Sequence, residues 1–168
     1  MILITAPHTI KTLRLKNFIP QIHKNEVGLF EIGKELSKEK GIKFIPNKRS
    51  IIDPNYHRIS RYRTKINIGQ EYNFDLHGMT DDHGCDLEIG TAGVVYNLEE
   101  INVFLDYNSI SYKINEHFVA GERTITHMMN NGLEIKGVQI ELSKEFRLDF
   151  QNRIKILREV IMLFSKYN

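Results

Sequence analysis

Hydrophobic positions along this chain fall into two kinds of run: short apolar stretches bounded by turn residues, and longer stretches with a helical period. "MILITAP" is a β-favouring run closed by proline, so it predicts a buried first strand that opens into a loop at His8. A long connection follows. From Glu26 to Lys40 the apolar positions Leu29, Ile32 and Leu36 predict a helix, and Gly41 stands where a C-terminal cap belongs. "IKFIP" then reads as a second strand. "NKRSIIDPNYHRISRYRTKI" is polar and basic with a turn at Asp53-Pro54-Asn55, which predicts a segment wrapping over the surface.

"YNFDLHGM" is the next strand, and a loop from Thr80 to Cys85 leads to another at "DLEIGT". "LEEINVFLDY" reads as helix, "SYKINEHF" as extended, "TITHMMNNG" as a short helix and "KGVQIEL" as a core strand. From Leu148 to Tyr167, Phe150, Ile154, Leu157, Ile161 and Phe164 share one face of a final packing helix. Strands alternating with helices predict an α/β three-layer sandwich with a mixed, largely parallel sheet, helices on both faces and ligands at the carboxyl ends of strands. No internal boundary is evident, so residues 1–168 read as a single domain.

Composition narrows the class without naming a function. With 41% hydrophobic and 26% charged residues the chain is of ordinary globular type. The 23 basic and 21 acidic residues nearly cancel, which predicts no nucleic-acid partner. "KRSIIDPNYHRISRYRTK" mixes basic and aromatic residues in the manner of a nucleic-acid module, but the acidic "DDHGCDLE" interrupts it. Cys85 is the single cysteine, which favours a reducing compartment. The opening residues lack a charged leader and no run is long enough to span a bilayer, so no membrane partner is expected and the cytoplasm is the default location. No exposed heptad pattern bears on oligomeric state.

The chemistry concentrates at strand ends. His8 follows the first strand, His77 ends "YNFDLHG", and Glu141 lies within "KGVQIEL". Two histidines with a carboxylate suit a catalytic zinc, which keeps one position open for water. Asp75 lies two residues before His77, so both share one face of a strand and Asp75 is placed to fix the imidazole tautomer. Glu26 is the preferred third ligand and Glu31 the alternative. Each residue also has a plainer explanation: a loop histidine held by hydrogen bonds, a carboxylate at a helix N-terminus, a salt-bridged glutamate in a strand. Asp81, Asp82 and His83 receive no assigned task beyond a solvated rim.

Taken in order, "APH", a helix-opening acid, "KRSIIDPN", "DLHGM", "DLEIGT", "VAGERTITHMM" and "VQIELSKEFR" resemble the N-formylglutamate amidohydrolase family over roughly residues 6 to 147. The resemblance implies a phosphorylase/hydrolase-like fold shared with zinc carboxypeptidases and aspartoacylases, one Zn2+, and amide hydrolysis of a small acyl amino acid or peptide. It implies His8, Glu26 and His77 as metal ligands, Glu141 as the base that then acts as acid, and Arg49 as a catalytic arginine beside the substrate. It further implies Arg58, Arg61, Asn55, Gly121 and Thr124, with His127 nearby, on the substrate side. Asp53 would shape the turn with Asn55, and Asp86 would support the metal ligands, with Gly90 completing its motif. The alternative reading is a metal-free binding domain that keeps the fold.

Overall fold

Six strands make the central sheet of the computed structural model, which describes residues 1–16, 19–55, 57, 60–66 and 69–168. In chain order they are β1 (Ile2–Ala6), β4 (Ile42–Pro46), β5 (Tyr72–Gly78), β6 (Leu87–Gly90), β7 (Tyr112–Ile114) and β8 (Lys136–Leu142). A separate two-stranded hairpin, β2 (Thr12–Lys16) and β3 (Ile19–His23), precedes β4. In space the sheet runs β4-β1-β5-β8-β6-β7, parallel throughout except where β6 meets β8. The helices are α1 (Leu29–Leu36), α2 (Glu99–Tyr107), α3 (Ile125–Gly132), α4 (Lys144–Leu148) and α5 (Phe150–Tyr167).

Side-chain alternation sends two different messages to the two faces of this sheet. Ile2, Ile4, Phe74, Leu76, Val138, Ile140, Leu87 and Ile89 point to one face and join α1 and α5 in the main core. The last helix closes that face through Phe164, whose ring meets those of Tyr72, Phe74 and Tyr96 with centroids 6.3, 5.3 and 4.7 Å away. On the other face Leu3 packs with Ile125 and Met129 of α3 and with Tyr62, but toward the strand C-termini the inward positions turn polar. Thr5, Asn73, Asp75, His77, Gln139, Glu141 and Glu88 are all buried there. The three-layer α/β sandwich predicted from the pattern is the observed fold.

The hairpin falls in the stretch read as a long connection. β3 is exposed up to His23, with Ile19 and Ile22 at 62% and 72%, so no buried alternation announces that strand. The ends of the hairpin are drawn together by a bond from the Glu26 N–H to the His8 carbonyl, 2.9 Å. Backbone bonds of Leu13 with Ile51 and Asp53 lay the hairpin along the 51–53 segment. The tail helix expected from Leu148 to Tyr167 is α5, and a short α4 capped by Ser143 precedes it. No helix among the described residues is long and apolar enough to cross a membrane.

Phe164→Ala is expected to cost about 3–5 kcal/mol, the usual loss for deleting a buried aromatic ring. Leu148→Ser, at a side chain that is mostly exposed, should stay within about 0.5 kcal/mol. Urea unfolding monitored by circular dichroism measures both.

Candidate metal centre and its polar surround

Three imidazoles converge on one carboxylate at the C-terminal end of β1 and β5. Glu26 Oε1 lies 2.9 Å from His8 Nδ1 and 3.0 Å from His23 Nε2, and its Oε2 is 3.9 Å from His77 Nδ1. The Gly78 N–H donates to the same Oε2 at 2.9 Å, which fixes the carboxylate against the end of β5. The His8 ring stands 4.1 Å from His23 and 4.9 Å from His77 between centroids. Donor atoms of His8, His23 and Glu26 all lie within 4.8 Å of one another.

The far nitrogens of the two central histidines are held by aspartates. His8 Nε2 is 3.0 Å from Asp53 Oδ1, and His77 Nε2 is 3.0 Å from Asp75 Oδ2. A buried carboxylate only accepts, so each Nε2 carries a proton and each Nδ1 is turned toward Glu26. Asp75 is anchored by the Thr5 hydroxyl at 2.7 Å, and Asp53 by Arg14 through Nε at 2.8 Å and a terminal nitrogen at 2.7 Å. Asn55 closes one side of His77, its side-chain amide 2.8 Å from Nε2.

Glu141 sits directly across from His77 in the β5–β8 ladder. Gln139 donates to its Oε1 at 2.7 Å. Burial pushes the Glu141 carboxyl up to about 7, with the Glu26 charge adding to the rise and His77 opposing it. Burial alone would raise Glu26 too, but His8, His23 and His77 outweigh it and hold that carboxyl well below the usual range. Asp53 is likewise held low against burial by His8 and Arg14. For His77 burial works downward, yet Asp75, Glu141 and Glu26 together push the imidazole up to about 10. His8 is raised against burial by Glu26 and Asp53.

These groups border a cavity of about 230 Å³, with Arg14, Gln139 and Phe118 completing its wall. Glu88 positions the loop that brings Phe118: its Oε1 accepts the N–H groups of Glu116, His117 and Phe118 at 3.0, 2.6 and 2.7 Å. A Cβ at Gly90 would strike the Phe118 carbonyl, so only glycine lets that loop lie on β6. Beneath the other rim Arg147 is buried and donates to the carbonyls of Leu142, Val27 and Met79. Its guanidinium fills the space beside Gly78, where a Cβ would come within 2.6 Å of Cζ.

The structure brings together His8, Glu26, His77, Asp75, Asn55 and Glu141 from the residues singled out in the sequence. Glu26 stands in the turn before α1 rather than within the helix, and Glu31 is exposed on α1, away from the cavity. Asp86 is not beside the cluster: it receives Arg153 at 2.5 Å and Ser111 at 2.7 Å, tying α5 to the β7 side of the sheet. Its position before β6 sets it apart from His77, because β6 runs antiparallel to β8. Gly121 and Thr124 form the start of α3, where Thr124 caps the His127 N–H, and neither lines the cavity. Arg49 and Arg61 line a different cavity. Arg58 lies outside the described residues. Asp81 accepts the Glu145 N–H, and His83 packs its ring on those of His117 and Phe118.

Sequence reasoning missed Arg14, His23, Glu88, Gln139 and Arg147. Gln139 and Glu88 carried a usable signal, each being a polar residue flanked on both sides by apolar core residues. Arg14 and His23 carried none, since the hairpin itself was unseen.

The donor set fits a divalent ion of the zinc class: imidazole nitrogens and a carboxylate oxygen, with aspartates fixing the tautomers of two imidazoles. The donor atoms close enough to share one ion belong to His8, His23 and Glu26, with His77 Nδ1 facing the same carboxylate from 3.9 Å.

No family model matches the chain, and no curated protein matches it. Solved structures do. A zinc-free apo form of YNDL aligns over 98% of this chain and 84% of its own, with a TM-score of 0.62 at 20% identity. A bacteriophage poly-gamma-glutamate hydrolase aligns over 100% and 86%, with a TM-score of 0.62 at 14% identity. The catalytic domain of CwlV, an N-acetylmuramoyl-L-alanine amidase from Bacillus (Paenibacillus) polymyxa var. colistinus, aligns over 100% of both chains, with a TM-score of 0.50 at 11% identity. The chain therefore shares the fold of these structures.

Asp75→Asn, which removes the negative charge facing His77 Nε2, is expected to weaken zinc binding about 10–100-fold. Glu31→Ala should leave it unchanged. Competition against a chromogenic chelator gives both affinities.

Proposed function

We propose that the protein is a zinc-dependent amidohydrolase that cleaves an amide of an acyl amino acid or small peptide. The observation that carries this reading is the pairing at the cavity floor. Two histidines turn Nδ1 to one glutamate while aspartates hold their other nitrogens, and across the ladder Glu141 has its carboxyl near neutrality. The fold neighbours include a poly-gamma-glutamate hydrolase and an N-acetylmuramoyl-L-alanine amidase, which favours peptide-like amides over N-formylglutamate.

When bound by His8, Glu26 and His77, zinc lowers the pKa of a water and polarises a carbonyl. The chain's own groups do the rest. Glu141 takes the proton of the attacking water and returns it to the leaving amine, a task suited to a carboxyl poised near pH 7. Gln139, bonded to Oε1, leaves the other oxygen of Glu141 for that proton. Asp53 and Asp75 keep the imidazoles oriented, and Arg14 balances Asp53 at the mouth of the cavity. Phe118 covers one side of the cavity and limits the water that reaches it.

Glu141→Gln should retain zinc and lose about 10²–10⁴-fold in turnover of N-acyl amino acids or γ-glutamyl peptides, the usual span for a proton-transfer group. Full activity in that variant would refute the assignment. Glu141 must be unprotonated to accept a proton, so wild-type kcat/KM should fall as the pH drops through and below about 7. A stopped pH series at saturating zinc measures the limb. Failure to take up zinc at any pH would favour the metal-free binding domain.

A further inference from the structure

Residues 43–65 carry Lys43, Lys48, Arg49, Arg58, Arg61, Arg63 and Lys65 but a single acid, Asp53. The rest of the chain holds 16 basic against 20 acidic residues, so this one segment makes the net charge positive. Its one carboxylate is already committed: Asp53 is buried on His8 and Arg14. Arg63 is buried as well, donating to the carbonyls of Pro54 and Arg123.

Three of the remaining cations, Arg49, Arg61 and Lys65, line one cavity of about 330 Å³ together with Asn47, Ser50 and Tyr62. The neutral wall is fully engaged in holding the fold. Asn47 donates to the carbonyls of Pro7 and Ser50, Ser50 Oγ donates to the Ile52 carbonyl, and the Tyr62 hydroxyl donates to Ile45 and accepts from the Ala6 N–H. No carboxylate among the described residues pairs with Arg49, Arg61 or Lys65, and no acid borders the cavity. Like charges gathered around one space repel until an anion joins them.

The location ties this cavity to the candidate metal centre. Asn47 is bonded to Ala6, Pro7 and Thr9, the run that carries His8 from β1 into the cluster. On the metal side the cavity is acid-lined by Glu26, Asp53 and Glu141. A ligand complementary to both would present an uncharged amide at the centre and negative groups a short stretch of chain away. We infer that the Arg49–Arg61–Lys65 cavity is a carboxylate subsite, and that the substrate is an acidic, peptide-like chain. Two guanidinium forks match carboxylates in a bidentate manner, and chain length between subsite and centre would set where the cut falls. The inference rests on the amidohydrolase reading for what happens at the centre, but not for the binding itself.

The test is binding of a fluorescent oligo-glutamate of six to ten residues to the zinc-loaded full chain, read by anisotropy across a salt series. An oligo-glutamine of equal length and an oligonucleotide serve as comparisons. Wild type should prefer glutamate to glutamine by at least about tenfold, with affinity falling as salt rises. The Arg49→Ala/Arg61→Ala variant should lose about tenfold for glutamate, flatten the salt dependence and keep its glutamine binding. Arg49→Lys/Arg61→Lys should recover part of the loss. Equal binding by wild type and the alanine variant would overturn the inference. Tighter binding of the oligonucleotide, lost in the same variant, would replace it with a nucleic-acid surface. If glutamate binding behaves as expected and no amide is cut, the subsite stands and the hydrolase reading falls.

Discussion

A single carboxylate shared among three imidazoles is the constraint from which the site follows. Glu26 is nearly out of water, and a buried charge of that kind persists only when partners surround it. His8 and His23 meet one of its oxygens, while the Gly78 N–H and, more distantly, His77 meet the other. The arrangement explains why the chain returns to His8 after an excursion of seventeen residues, and why β5 must end in glycine. Arg147 lies beneath, its charge spread over three carbonyls, and a side chain at position 78 would displace it. Ligand loop, strand end and the start of the last helical pair are thereby locked to one another.

The sheet divides labour between its faces. One face is apolar along its whole length and supplies the cohesion of the fold. On the other, apolar packing against α3 gives way to a line of buried polar groups from Thr5 to Glu88, held by bonds such as Thr5 to Asp75, Gln139 to Glu141 and Phe118 N–H to Glu88. Because the strands are parallel, the polar ends of β1, β5 and β8 meet at one edge, where loops rather than a helix cover them. The antiparallel β6 places Glu88 opposite Glu141 in the ladder. Two carboxylates in that register are tolerable because one is saturated by backbone N–H groups and the other rises toward neutrality.

Much of this was legible in the residues alone, and what was not has physical reasons. The core strands and α5 announced themselves through continuous apolar runs and a four-three spacing, because burial on both sides of a strand or along one helical stripe leaves that mark. His8, His77, Asp75 and Glu141 stood out as polar residues at the ends of such runs. The β2–β3 hairpin left no mark, since β3 lies exposed and buries no alternating face, and with it went Arg14 and His23. Strand direction is also unreadable from side chains, so Asp86 looked like a neighbour of His77 when the chain in fact carries it toward Arg153 and α5. Arg49 and Arg61 were placed beside the substrate by the family resemblance, which does not read tertiary position. The fold instead gathers them on a separate cavity beside Asn47 and Tyr62.

The order of strands carries one more consequence. β8 lies between β5 and β6, yet it follows every other strand in the chain. Without it the β4-β1-β5 and β6-β7 groups share no ladder, and neither has Glu141. Partial opening therefore cannot release the site while sparing the fold. The amide hydrogens of β8 should be among the last to exchange, and a chain in which they exchange has lost its sheet and its chemistry in the same event.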